Sequence, residues 1–209
     1  MEIKNIREFV NNHSEGLSNF EKRVMIDNMI SELREIREGL TEGSYIERQN
    51  KRKEEIVCFF EDVGSMRISE KAALKRTLGV KDDFEGMYRL LNNKERYNIP
   101  IYEKPIWALC ARIYCLFECK QSDKSFATCL GEEISSASGI AKFENMLATS
   151  TDKFDYLSAD MIRFVRQLKS KNKTFDCKTL LLDMLNWNYS NKSVQMKWVQ
   201  DFYNAQSKN

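Results

Sequence analysis

Arg163, Arg166 and Lys169 recur at three-residue steps, Lys171 and Lys173 follow, and no acidic residue falls between Asp160 and Asp176. On a helix such steps set cations about 4.5 Å apart along the axis, a row able to follow a phosphate backbone. The chemistry is electrostatic: Arg and Lys hold phosphate and leave every covalent bond intact. The plain alternative is a solvated face whose cations offset the negative end of a helix dipole. Lys71, Lys75 and Arg76 form a second candidate group, with Lys71 and Lys75 on one face at i,i+4 and Glu70 the adjacent acid. The run Arg48, Lys51, Arg52, Lys53 is flanked by Glu47, Glu54 and Glu55, which describes a self-compensated exposed helix.

Bond-making chemistry has little to draw on. His13 is the only histidine, so there is no HExxH motif, no Glu-x-x-His pair and scant material for a Ser-His-Asp or Cys-His relay. Neither GxxxxGK[ST] nor GxGxxG occurs. Glu132-Glu133 and Asp82-Asp83 read as helix starts, where carboxylates complement the macrodipole. We therefore expect no enzymatic activity. Of the six cysteines, Cys115 and Cys119 share a face at one helical turn, but no second pair or histidine completes a zinc set. Trp107, Leu109, Ile113, Tyr114 and Phe117 surround Cys110, Cys115 and Cys119 in sequence, so these read as buried thiols packing like small apolar groups. No metal or other cofactor is expected.

The stretch MEIKNIREFVNNHSEG is mixed and charged where an export signal needs an apolar core, and no window approaches the roughly 18 apolar residues of a spanning helix. A soluble, cytoplasmic protein without membrane contact is the expectation, and with it reduced cysteines rather than disulfides. Thirty-three basic against thirty-one acidic residues give a net charge of +2 in a chain of 209. Any nucleic-acid site must then come from local segregation of charge.

The elements that would carry these cations are helices. Prolines are confined to Pro100 and Pro105, strand-like alternation is missing, and glycines such as Gly43, Gly64, Gly79, Gly131 and Gly139 read as helix stops. We expect an all-α protein of two packed antiparallel helical bundles. Residues 1–55 read as an N-terminal helical extension, with helices at Ile3–Asn12 and Leu17–Leu40 and another opening at Ser44. Residues 56–122 read as an N-terminal bundle, including helices at Ser69–Leu78, from Asp82-Asp83, and at Ile106–Phe117 with Pro105 in its first turn. Residues 123–209 read as a C-terminal bundle of helices at about Phe126–Ser136, Ile140–Ala148, Phe154–Ser170, Asp176–Trp187 and Ser193–Gln206. On the helix over 154–170, Met161, Phe164, Val165 and Leu168 form the core face, and the cations stand away from it.

The tail, DCKTLLLDMLNWNYSNKSVQMKWVQDFY, joins two amphipathic segments through Asn188-Tyr189-Ser190-Asn191, with Ser190 or Asn191 placed to cap the last helix. Leu180, Leu181, Met184 and Leu185, then Val194, Trp198, Val199 and Phe202, mark buried faces. Trp187, Trp198, Phe202 and Tyr203 read as core aromatics. This D-x-x-x-L-L-x-D-x-L-x-W segment, a polar turn, then V-Q-x-x-W-x-x-D-F-Y resembles the C-terminal signature of the CasB family, the small subunit of the type I-E CRISPR Cascade complex. Upstream, Ala73 to Gly79 is similar to the family's A-L-R-R-x-L-G, and Phe126 to Gly131 to its S-L-G stretch. Lys142-Phe143 through Leu147-Ala148 is similar to R-F-x-x-L-L-x-A, and Val165 to Lys169 to V-x-x-L-K. Where the family often carries L-R before that valine, this chain has Met161-Ile162 and its arginine one residue later, at Arg163.

The resemblance spans 56–203 and implies a non-catalytic subunit that contacts nucleic-acid backbone and stabilises the R-loop in antiviral defence. It implies as partners the other Cascade subunits, the backbones of guide RNA and target DNA, and a second copy of the chain in the complex. Arg163, Arg166, Lys169, Lys171 and Lys173, then Lys75 and Arg76, are the expected phosphate partners, and the K-F match adds Lys142. The alternative reading is a helical protein–protein adaptor without direct nucleic-acid contact.

Overall fold

Ile56, Phe59, Phe60 and Val63 recur at helical spacing, and each is buried. They define the inner face of helix α1, over 53–65, which opens the larger of two compact units, Lys53–Asn209. The computed structural model describes residues 46–77, 85–93, 95–150, 153–188 and 191–207. Of the smaller unit, Met1–Arg52, only 46–52 is therefore described, and it is helical. The expected helices at 3–12 and 17–40, the helix start at Asp82-Asp83, Leu78, His13 and the Ser190 cap lie outside the described residues.

The larger unit continues with α2 (Ile68–Arg76), α3 (Glu85–Leu91), a 3-10 turn (Ile101–Glu103) and α4 (Lys104–Leu116). Then follow α5 (Phe126–Glu133), α6 (Ala137–Ala148), α7 (Phe154–Ser170), α8 (Cys177–Leu185) and α9 (Ser193–Gln206). Every regular element among the described residues is helical, and the all-α expectation holds. Helices α7 and α9 have the expected ends.

α4 is buried over ten consecutive residues, Ile106 to Cys115, and so forms the axis of the core. Phe59 and Tyr97 close on its first half around Trp107, with Phe59 edge-on to Trp107 at 4.8 Å between centroids. Phe175 joins its far end to α5, edge-on to Phe117 at 5.2 Å and to Phe126 at 5.0 Å. Trp187, Trp198, Phe126, Phe143 and Phe202 complete the same hydrophobic cluster. Cys110, Cys115, Cys129 and Cys177 are buried free thiols within it, as the sequence led us to expect, whereas Cys58 and Cys119 are only partly buried against it. Burial pushes the Cys115 thiol up to about 12, and Cys119 beside it acts in the same direction.

Several sequence expectations need correction. α2 begins at Ile68 behind Arg67 rather than at Ser69, because Glu70 reaches back to the Arg67 backbone N–H at 3.0 Å and closes the first turn there. Glu132 and Glu133 end α5 instead of starting a helix. Ile134 turns to an extended conformation to bury its side chain, and Ser136 caps α6 through the Gly139 N–H at 3.2 Å. Gly139 thus lies in the first turn of α6 and is no helix stop. Gly131 lies within α5, where a Cβ would stand 2.9 Å from the Ala205 Cβ and closer still to the Phe202 carbonyl oxygen. Lys192, in the left-handed region, precedes α9, while Asn191 Oδ1 accepts the Ser193 N–H at 3.1 Å. Val199 and Tyr203 are exposed, since α9 buries the stripe Val194, Trp198, Phe202, Ala205 against α5 and these two fall outside it.

Gly131 yields the first test. Gly131→Ala must force α5 and α9 apart and is expected to cost about 1–3 kcal/mol. Gly64→Ala, with open space around the added carbon, is expected to be neutral or to stabilise by up to about 1 kcal/mol. Urea titration of both variants checks the pair; equal effects would contradict the close approach.

Candidate nucleic-acid interface

α7 buries Leu157, Met161, Ile162, Phe164, Val165 and Leu168, which rotates residues 163 and 166 outward. The helix ends in a left-handed Asn172. The Asn172 N–H donates to the Lys169 carbonyl at 3.1 Å and the Lys173 N–H to the Leu168 carbonyl at 3.0 Å, a Schellman closure. Beyond it the chain folds back on α5, with the Asp176 N–H on the Lys124 carbonyl at 2.8 Å and the Ser122 hydroxyl on the Thr174 carbonyl at 2.6 Å. The ridge is therefore held by packing on one side and by this turn at its end.

The five cations of this segment are not equivalent. Arg166 and Lys171 are exposed and, among the described residues, pair with no carboxylate. Arg163 is exposed but holds Asp160 at 2.9 Å, an i,i+3 surface pair of the kind worth about 0–1 kcal/mol. It can exchange that partner for phosphate at small cost. Lys169 is half-buried, its ammonium 5.6 Å from the centre of the Phe117 ring. Lys173 is committed elsewhere: it lies 3.1 Å from Glu133 and 3.4 Å from Glu132, and these carboxylates hold its ammonium above the usual lysine range. Lys124 also binds Glu132 and, with Lys173, holds that carboxyl low. Lys124 and Lys173 thus cancel the two acids at the end of α5.

Folding brings the second sequence group toward the first. Lys71 and Lys75 lie near enough to the Cys115 thiol, in the last turn of α4, to oppose its upward shift. Lys169 covers Phe117, two residues further along the chain. Cations from α2 and α7 therefore converge on the C-terminal end of α4, the negative end of its dipole. Lys71 also donates to the Gly64 carbonyl. Arg76 is exposed at the end of α2, and Lys142 is exposed on α6, beside the buried Phe143.

Two arginines escaped sequence reasoning. Arg67 and Arg89 both bind Glu70 Oε1, at 3.1 and 2.6 Å, and Glu70 is buried. The hydrogen bonds from Arg67 hold its carboxyl down to about 2. Arg67 and Glu70 stand at i,i+3 spacing, a usable sequence signal, but Arg89 is nineteen residues further on and only the fold brings it in.

A family model described as CRISPR-associated protein Cse2 matches residues 70–203. No curated protein sequence matches the chain. The crystal structure of CasB from Thermus thermophilus superposes with a TM-score of 0.61 at 20% identity, covering 73% of this chain and 98% of that one. For CasB from M. ruber the TM-score is 0.60 at 17% identity, with 75% and 95% covered. A chain of a CRISPR RNA-guided surveillance complex gives 0.60 at 15% identity, with 75% and 96% covered. At these identities the superpositions speak for the fold.

Proposed function

The chain belongs to the CRISPR-associated Cse2 family, and from that premise we propose that it is a non-catalytic small subunit of a Cascade-type RNA-guided complex, binding nucleic-acid backbone and stabilising the R-loop in antiviral defence. The observation that carries this reading is the α7 ridge, where Arg166 and Lys171 stand exposed and uncompensated among the described residues on a helix fixed by its buried face. Arg163 and Lys169 flank them, and Lys75 and Arg76 extend the cationic surface from α2. Lys173 serves this surface less as a ligand than as the anchor of the turn behind it. Contacts of this kind supply affinity without reading sequence, which suits a protein whose target is chosen by guide pairing. With a net charge of only +2, the chain gains most of its binding inside an assembly with the other Cascade subunits and a second copy of itself, in the cytoplasm. The small subunit then touches the guide RNA–target DNA heteroduplex through phosphate alone. Mobility-shift titration of the assembled complex, with this chain included or omitted and repeated across salt, tests the reading. Omission is expected to weaken target binding most at low salt, and an unchanged titration would contradict it.

The adaptor reading draws on a different surface. Ile101 and Tyr102 are 83% and 79% exposed on the 3-10 turn, a pair of apolar side chains suited to a protein neighbour. On that reading Ile101→Asp disrupts assembly while the α7 cations can be replaced without effect.

A further inference from the structure

Four of the six cysteines gather around the second half of α4. The Cys115 and Cys119 thiols share a hydrogen bond, and both lie, with Cys110, near enough to the Cys177 thiol to act on its charge. Among the described residues, no three such side chains are arranged to hold a metal ion. The chemistry left to the cluster is the joining of sulfurs in pairs, and its members are not equivalent. Cys110, Cys115 and Cys177 are buried, whereas Cys119 is partly open to solvent. An oxidant from solvent reaches thiols in order of their exposure, so it meets Cys119 first.

The turn that carries Cys119 returns it to α4. Glu118 and Cys119 are both left-handed, at φ 59°, a conformation that residues other than glycine seldom take in succession and that persists only where the surroundings impose it. A Schellman closure imposes it here. The Glu118 N–H donates to the Cys115 carbonyl at 2.9 Å and the Cys119 N–H to the Tyr114 carbonyl at 3.0 Å. Cys119 thus folds back on the last turn of α4 and meets the Cys115 thiol there. Phe117, midway between the two cysteines, is buried edge-on to Phe175 and lies beneath the Lys169 ammonium.

We propose that Cys119 is a site of oxidation by hydroperoxides and that Cys115 is its resolving partner, the two closing a disulfide across the end of α4. In the first step the Cys119 sulfur takes one oxygen as the O–O bond breaks, giving a sulfenic acid, and the other oxygen leaves as an alcohol, or as water from hydrogen peroxide. In the second the Cys115 sulfur attacks the Cys119 sulfur, the S–O bond breaks, and the hydroxyl leaves as water with the Cys115 proton. The two thiols together give up two electrons and two protons, and the hydroperoxide takes up both. Lys71 and Lys75 favour the Cys115 thiolate, but burial outweighs them and holds its proton on. The second step is therefore the slow one, and the sulfenic acid accumulates before the bridge closes. The bridge staples the left-handed turn on which Phe117 and, above it, Lys169 rest. This oxidation asks nothing of nucleic acid and stands apart from the reading given above.

The test treats the full reduced chain with hydrogen peroxide and samples it over time, trapping sulfenic acid with dimedone and mapping the modified peptides by mass. Cys58→Ser, run in parallel, removes the other partly buried thiol. Dimedone is expected on Cys119 before any buried cysteine, giving way to a Cys115–Cys119 bridge that dithiothreitol reverses. Cys115→Ala, which keeps the site apolar, is expected to prolong the Cys119 sulfenic acid at least about tenfold, because its resolving thiol is gone. Cys119→Ser is expected to leave Cys115 unmodified over the same interval. The bridged chain is expected to melt about 2–6 °C above the reduced one. Labelling of Cys119 no faster than of the buried Cys110 overturns the proposal, and the wild-type chain alone decides that point whatever the variants do. So does a bridge mapped to another pair, such as Cys110–Cys177, or oxidation that ends only in disulfide-linked dimers.

Discussion

Replacing Trp198 with alanine is expected to lower stability by about 4–8 kcal/mol. Trp198 is fully buried, edge-on to Trp187 at 5.0 Å and tilted against Phe126 at 5.3 Å. Deleting such a ring costs about 3–5 kcal/mol in transfer and residual cavity. Its indole N–H also donates to Asp183 Oδ2 at 2.7 Å. Burial pushes the Asp183 carboxyl up, while Trp198 and then Lys197, at 3.0 Å, oppose that shift. Alanine leaves this buried carboxylate short of a donor, a further loss of about 1–3 kcal/mol. The melting temperature should fall by roughly 10–25 °C for a unit of this size. Trp198→Phe keeps most of the packing and isolates the hydrogen bond at about 1–3 kcal/mol. Wild-type stability in Trp198→Phe would show that the Asp183 contact contributes nothing.

The second large effect is on binding. Arg166→Ala/Lys169→Ala/Lys171→Ala in the assembled complex is expected to reduce the log–log salt slope for duplex target by about 2.7, at about 0.9 for each phosphate lost. Referred to equal affinity near 1 M salt, that slope corresponds to roughly a 10²- to 10³-fold loss at 0.1 M. Lys173→Ala behaves differently. Its ammonium is already held by Glu133 and Glu132, so its loss leaves the slope nearly intact and loosens the turn between α7 and α8 instead. Equal slope changes for Lys173 and Arg166 would contradict the division of labour along the ridge.

Much of this frame was legible in the sequence where periodicity and end signals agree. α7 and α9 have the ends that the sequence pattern implies because their apolar stripes are strong and polar segments flank both. α5 ends at Glu133, short of the expected Ser136, and α6 starts at Ala137, ahead of the expected Ile140. Ser136 can cap a helix only if Ile134 leaves the preceding one, and that choice is made by burial of Ile134 in the tertiary core. Glu132 and Glu133 end a helix for the same reason, and their contacts with Lys173 cross about forty residues that no local pattern joins. Tyr203 looked apolar beside Phe202 but lies one residue off the buried stripe of α9, and its hydroxyl donates to Glu144 at 2.9 Å. The cationic row on α7 was visible because it follows one helix. The cluster at Glu70 was invisible because Arg89 enters it from another helix. Local charge pattern thus revealed the surface, and only the fold revealed which of its charges are already spoken for.

A photoreactive phenylalanine analogue placed at residue 166, or at 171, in the assembled target-bound complex asks the central question most directly. The account predicts covalent adducts to a nucleic-acid strand from either position, and none from residue 156, which is exposed near the opposite end of α7. Adducts confined to protein subunits at 166 and 171 would contradict the phosphate ridge and leave the adaptor reading in its place.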